Sequence, residues 1–276
     1  MDNKKSLIIK IVFGLILVGI VFFVLSSSRK GPVYKLPSVP KPAPVQQPAQ
    51  PPAKLIDLTN WKLTLPITSP SDPTQPLEIL QPELATYQLR PWFQLAPDKK
   101  GVLFRAPVNA PTTSNSSYPR CELREMTDSG TQEFFWPSTS GTHTLFLDEA
   151  ITAVPQYKPD VVAGQIHGDT DDLIVVRLEG QKLYLARSKA NLFTLDDNYV
   201  LGTRFTIKFV ASNGQVTVYY NNSATPIYTL EKKVKQAYFK VGVYTQSNCK
   251  TEQSPELCTA DNYGEVMVYQ AKVTHE

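Results

Sequence analysis

The chain has 276 residues, of which 19% are charged, and a formal net charge of +3. The charge is unevenly placed: residues 1–54 hold eight Lys/Arg and one acid, Asp2, so the remainder carries 20 basic against 24 acidic residues, a balance of −4. That excludes a basic nucleic-acid-binding surface, and an anionic ligand would have to be held by a local cation cluster rather than a general field.

At the N-terminus, Lys4 and Lys5 precede an apolar run, Leu7 to Leu25, interrupted only by Lys10. As a helix it would span roughly 28 Å, the hydrocarbon thickness of a bilayer. Ser26-Ser27-Ser28-Arg29-Lys30 follows, with no Ala-x-Ala-like cleavage site and no Cys to accept a lipid. Residues 1–30 therefore read first as an uncleaved transmembrane signal anchor and second as a signal peptide. Both readings place the folded part outside the cytoplasm, membrane-tethered in the first case and secreted in the second. Residues 31–54 carry Pro at 32, 37, 40, 42, 44, 48, 51 and 52. Such a segment cannot build a core and reads as a semi-rigid linker, about 70 Å long when extended at ~3.1 Å per residue.

From Leu55 onward, short β-like runs alternate with turn residues. Trp61 to Leu65 is a strand expected to stop at Pro66, and residues 66–91 read as irregular with at most one short helix. Strands are expected over Gly101–Ala106, Tyr118–Glu125, His143–Ile151, Val161–His167, Leu173–Leu178 and Lys182–Ser188. Arg204–Ala211 and Gln215–Tyr220 form a hairpin through Asn213-Gly214, the strongest turn signal in the chain. Ile227–Leu230, Tyr238–Gln246 and Glu265–Val273 complete the set, while 107–117 and 190–200 read as loops. A dozen strands without helical spacers predict an all-β fold, an antiparallel sandwich or jelly roll over residues 55–276.

Cys249 and Cys258 lie in a polar, turn-rich stretch and are read as a disulfide contributing about 2–3 kcal/mol, two unpaired loop thiols being the alternative. Cys121 falls on the apolar side of its strand and reads as a buried small residue. No Cys-x-x-Cys or paired His accompanies them, so the three are not read as metal ligands; no cofactor is expected, since protein cations can neutralise a substrate carboxylate, and a structural ion is left open. His143, His275, Trp61, Trp92 and Trp136 read as structural.

Three strands share a pattern. Alternation puts Arg120, Glu122 and Arg124 on one face, with Cys121 and Leu123 behind. Gln165 and His167 flank an inward Ile166. Tyr238, Lys240, Tyr244 and Gln246 face opposite to Phe239, Val241 and Val243. Side by side, these strands would present cations, an amide, an imidazole and a phenol on one sheet face, with Glu122 pinning the two guanidiniums. The set suits removal of a proton alpha to a carboxylate: cations neutralise the carboxylate, a neutral His takes the proton, and a Tyr hydroxyl protonates the departing oxygen. No Gly-x-Ser-x-Gly and no Glu-x-Asp-x-x-Glu occurs, which argues against a serine hydrolase and a retaining sandwich glycosidase.

Arg-Cys-Glu-Leu-Arg (120–124), Gln-Ile-His (165–167) and Tyr238 to Gln246 resemble, in order, the three motifs of polysaccharide lyase family 7, the alginate lyases. Asn60 to Pro66 is similar to that family's opening strand. The resemblance implies a β-jelly roll that holds alginate and cleaves it by β-elimination. It places carboxylate neutralisation on Arg120 and Gln165, the base on His167 and the acid on Tyr244. Glu122, Arg124, Lys240 and Gln246 fall on substrate-binding positions. Ile166, in place of Val, implies guluronate-containing substrates, and a monomeric, endo-acting enzyme is expected. The rivals are a non-catalytic carbohydrate-binding sandwich and a lyase for another polyuronate such as glucuronan.

Overall fold

The computed structural model describes residues 50–276. The expected anchor, and the linker up to residue 49, lie outside the described residues. Among the described residues, no helix is long and apolar enough to cross a membrane.

The strands follow one another as β1 (Trp61–Thr68), β2 (Pro76–Ile79), β3 (Phe93–Leu95), β4 (Val102–Pro107), β5 (Arg120–Thr127) and β6 (Gln132–Glu133). Next come β7 (Thr142–Ala153), β8 (Asp160–His167), β9 (Asp172–Glu179), β10 (Lys182–Arg187) and β11 (Ala190–Asp196). The chain closes with β12 (Phe205–Ser212), β13 (Gln215–Tyr220), β14 (Tyr228–Glu231), β15 (Tyr238–Thr245) and β16 (Tyr263–His275).

They form two antiparallel sheets in a jelly-roll-like sandwich. One runs β11-β10-β9-β8-β15-β5-β1-β2, with β6 on β5, and the other β14-β13-β12-β7-β16-β4-β3. The central neighbours β8, β15 and β5 are far apart in sequence, so the three motif strands meet only through crossovers. Strict alternation survives in β12, where Phe205, Ile207, Phe209 and Ala211 point inward and their neighbours outward. Cys121, Leu123, Ile166, Phe239, Val241 and Val243 share one core with Leu145, Leu147 and Phe209 of the second sheet. The expected inward faces of the motif strands are therefore those observed.

Several boundaries differ from expectation. Pro66 does not end its strand: β1 continues to Thr68, and Pro66 sits where the β1–β2 register shifts between Thr64 and Thr68. A missing N–H costs nothing where the ladder is already interrupted. Residues 66–91 include the edge strand β2 as well as the expected short helix, here the 3-10 turn Glu83–Ala85. Residues 190–196 form β11, an edge strand on β10 rather than a loop. Pro52–Lys54 form a 3-10 turn with Pro52 buried and Ala53 packed on the core, so ordered structure begins before residue 55.

Two glycines set the geometry at the sheet centre. β8 and β15 pair Val241 with Gly164, and then Tyr244 with Val162, so the register shifts between those pairs. Gly242 takes φ +130°, and a Cβ there would lie 2.5 Å from the Cys121 carbonyl oxygen. A Cβ on Gly164 would lie 2.3 Å from Leu147 Cδ1. The irregularity puts Val162, Gln165 and His167 on the same face, which uninterrupted alternation forbids.

Candidate active site

The pairing registers lay the functional side chains out as a grid. Gln165 pairs with Lys240, Lys240 with Arg124, and Arg124 with Lys62, one row crossing β8, β15, β5 and β1. His167 pairs with Tyr238 at one end of β15, and Tyr244 pairs with Arg120 toward the other. Directly paired residues stand about 5 Å apart. The four positions Arg120, Gln165, His167 and Tyr244 line a single cavity of about 780 Å³, together with Arg124, Lys240 and Gln246.

Glu122 is the exception to the expected layout. It is 1% exposed and lies beneath the cavity rather than on its wall. It therefore does not stand where a substrate-binding residue was expected, and it does not pin Arg124. Its Oε2 takes Lys240 Nζ at 2.5 Å and Arg120 NH1 at 2.9 Å, and its Oε1 accepts from Gln165 Nε2. The sequence showed an acid between two arginines; the pairing of β15 with β5 substitutes Lys240 for the second. Burial would raise the Glu122 carboxyl, but Lys240 and Arg120 outweigh it and hold the group below its ordinary range. For Lys240, burial and then Arg120 push the ammonium down to about 8, with Glu122 opposing. A carboxylate can only accept, so it holds the amide nitrogen of Gln165 toward itself.

Arg124 is tied elsewhere. Its NH1 donates to the Glu125 carbonyl at 2.6 Å, and its guanidinium carbon lies 4.2 Å from the Tyr238 ring centre. Glu133 is 3.7 Å from its NH2.

His167 has a defined tautomer. Its Nδ1 lies 2.9 Å from the Gly168 carbonyl oxygen, which can only accept, so Nδ1 carries the proton and Nε2 the lone pair. The ring stacks on Tyr238 with centres 4.9 Å apart and planes within 13°. Burial, then the cations Lys240 and Arg120, hold its pKa below the ordinary value, against the Gly168 carbonyl and Glu122. The imidazole is thus neutral near pH 7 and can accept a proton.

Tyr244 is held on three sides. The Arg120 guanidinium carbon lies 4.0 Å from its ring centre, and the Tyr118 ring meets it edge-on at 6.2 Å. Ser116 Oγ lies 2.9 Å from its hydroxyl.

Sequence reasoning missed Lys62, Thr64, Ser116 and Arg177, which also line the cavity. Lys62 and Thr64 were legible, since both share a face of the opening strand. Ser116 was not, because only the folded loop brings it to Tyr244. Arg177 lines the β9 side, with NH1 and NH2 given to the Ser188 carbonyl and Asn191 Oδ1.

The residues expected to be structural are so. Trp61 and Trp136 are buried, and Trp92 packs against the core. His143 and His275 bond one another through Nδ1 at 2.8 Å, and His275 Nε2 reaches Glu125 at 2.6 Å, away from the cavity. Cys249 and Cys258 are disulfide-bonded, and Cys121 is a buried free thiol that burial keeps protonated. Among the described residues, no three His, Cys, Asp or Glu side chains are grouped to hold a metal ion.

Comparison with known proteins identifies the family. The alginate lyase family profile matches residues 56–275. An alginate lyase of Klebsiella pneumoniae is 26% identical over 305 residues, covering 86% of this chain and 94% of its own. The solved structure of the alginate lyase AlgAT5, from polysaccharide lyase family 7, is 46% identical with a TM-score of 0.76, covering 83% of this chain and 100% of its own. An alginate lyase structure from Corynebacterium sp. is also 46% identical with a TM-score of 0.76, covering 82% of this chain and 98% of its own.

Proposed function

The chain belongs to the alginate lyase family, polysaccharide lyase family 7, and from that premise we propose that it cleaves the 4-O-glycosidic bond of alginate by β-elimination, in endo mode and with preference for guluronate-containing stretches. The observation that carries the mechanism is the joint opening of a neutral His167 and the Tyr244 hydroxyl onto one cavity beside Arg120, Gln165 and Lys240.

The C5 proton of a uronate is acidic only if the negative charge left behind is spread onto its carboxyl group. Arg120, Gln165 and Lys240 offer positive charge and N–H donors to that carboxyl, and they act most strongly as the charge develops. His167 Nε2 takes the C5 proton. The electron pair closes the C4–C5 double bond, the C4–O4 bond breaks, and Tyr244 protonates the leaving O4. Glu122 touches no substrate; it holds Arg120, Lys240 and Gln165 convergent.

Endo cutting is supported by cavity lining on both sides of the reacting groups, Lys62 on β1 and Arg177 on β9. Ile166 is buried behind Gln165 and His167, so its link to guluronate would act through the backbone that carries them. The disulfide and the apolar run 7–25 favour an enzyme held to the outer side of a membrane, or secreted if that run is removed.

The test is incubation of the full chain with mannuronate- and guluronate-block alginates, following ultraviolet absorbance of the conjugated product and its size distribution. Absorbance is expected to rise fastest on guluronate-containing blocks, with internal cuts giving mid-sized oligomers first. His167→Ala and Tyr244→Phe should each lose at least about a hundredfold in turnover. Wild-type turnover in both variants would overturn the assigned roles. Faster cleavage of glucuronan than of alginate would overturn the substrate.

A further inference from the structure

We propose that Ser116 is a positioning residue for the acid step, the group that stabilises the Tyr244 oxygen once its proton has gone to the substrate. The inference rests on reading Tyr244 as that acid.

Ser116 Oγ has three polar neighbours: Tyr118 N at 3.1 Å, the Tyr118 carbonyl oxygen at 3.1 Å and the Tyr244 hydroxyl at 2.9 Å. A serine hydroxyl has one proton and two lone pairs. The amide N–H of Tyr118 can only donate and the carbonyl can only accept. In the resting arrangement, Ser116 donates to the Tyr118 carbonyl and accepts from both Tyr118 N–H and Tyr244 O–H. Every partner is satisfied, and the Tyr244 proton points at Ser116.

A second arrangement differs only by rotation about two C–O bonds. The Ser116 proton leaves the Tyr118 carbonyl for the Tyr244 oxygen, and the Tyr244 proton turns into the cavity. As C4–O4 breaks and its electron pair moves to O4, O4 takes the Tyr244 proton and a phenolate remains. Ser116 then donates to that phenolate, with the Arg120 guanidinium over the same ring. Water restores the phenol proton after product leaves, and His167 releases the C5 proton to solvent.

The rotor stands on a fixed base. Ser117 O accepts from Asn248 Nδ2 at 2.8 Å, and Pro119 O accepts from Thr245 N and Oγ1 at 3.0 and 2.9 Å. The Ser116 loop is thus bonded to the same strand end that carries Tyr244.

The experiment compares the full chain with Ser116→Ala, Ser116→Thr and Tyr244→Phe on alginate, measuring kcat, KM and the pH profile of kcat. Removing one donor from a developing oxyanion costs up to roughly a hundredfold or more in a dry site, and less where water can substitute. Ser116→Ala is expected to lower kcat about 10- to 100-fold, to keep KM within about twofold and to change the basic limb of the kcat profile. Ser116→Thr, which keeps the hydroxyl, should recover most of the loss. Wild-type kcat in Ser116→Ala beside an inactive Tyr244→Phe would overturn this inference and leave the acid assignment standing. Equal losses in the Ala and Thr variants, or a change in KM alone, would show a merely structural role and also overturn it. Wild-type turnover in Tyr244→Phe would overturn both readings.

Discussion

Glu122 lies outside the cavity lining, yet three of the proposed substrate-facing groups bond to it. A buried carboxylate paired with two cations is costly to disturb, because removing the anion leaves cations buried without a partner. Glu122→Gln is expected to destabilise the domain by about 3 kcal/mol in urea unfolding and to reduce kcat/KM by more than roughly a hundredfold. Unchanged stability with full activity would show that the pairs are incidental. Glu149 is the opposite case. It sits on β7 in the inter-sheet core with neither carboxyl oxygen hydrogen-bonded, and burial raises its pKa to about 8. Between the ordinary carboxyl range and pH 8, the folded chain keeps a proton that the unfolded chain gives up, so this group erodes stability as pH rises through that window. Glu149→Gln should therefore raise the melting temperature, with a gain that grows from pH 5 to pH 8. A gain independent of pH would mean that the carboxyl does not titrate in this way.

At the scale of the strand, the site depends on the irregularity at Gly164 and Gly242. Period-two reading correctly placed Gln165 with His167, which lie on one side of the break, and Lys240 with Tyr244, because β15 keeps its alternation along an unshifted pairing with β5. It could not show that Val162 joins the same face, since that requires the shift between β8 and β15. Gly242→Ala would place a Cβ against the Cys121 carbonyl at a φ that L-residues rarely adopt. The expected result is a loss of about 2–4 kcal/mol and a larger fall in kcat than in substrate affinity, as Tyr244 and Lys240 lose their spacing. A variant with native stability and turnover would show that the kink is dispensable. Pro66 teaches the same lesson from the other side: read alone it ends a strand, but beside an already interrupted ladder it is tolerated.

For the whole molecule, charge is the informative quantity. Residues 55–276 are net negative, yet Lys62, Arg120, Arg124 and Lys240 gather on one face of one sheet. A polyanion must approach a mildly anionic body to reach a cationic cavity, and attraction of that kind is screened beyond about 8 Å at physiological salt. KM for alginate should therefore rise several-fold between 50 and roughly 500 mM NaCl while kcat changes little, because the buried Glu122 pairs are shielded from solvent ions. A fall in kcat with constant KM would place the salt effect on the site itself.

The sequence alone determined the class of fold, the three strands that matter and which of their side chains face away from the core. Those properties are local: alternation, turn residues and the apolar backs of the strands are written within eight or nine positions. Only the tertiary structure decided that Glu122 lies underneath the cavity, that its partner is Lys240 rather than Arg124, and that Ser116 reaches Tyr244. Each of these is a contact across strands or loops more than a hundred positions apart, or a burial set by neighbours on both sides. No periodicity within one strand can encode it, because it depends on which strands the crossovers bring together and on the register in which they pair.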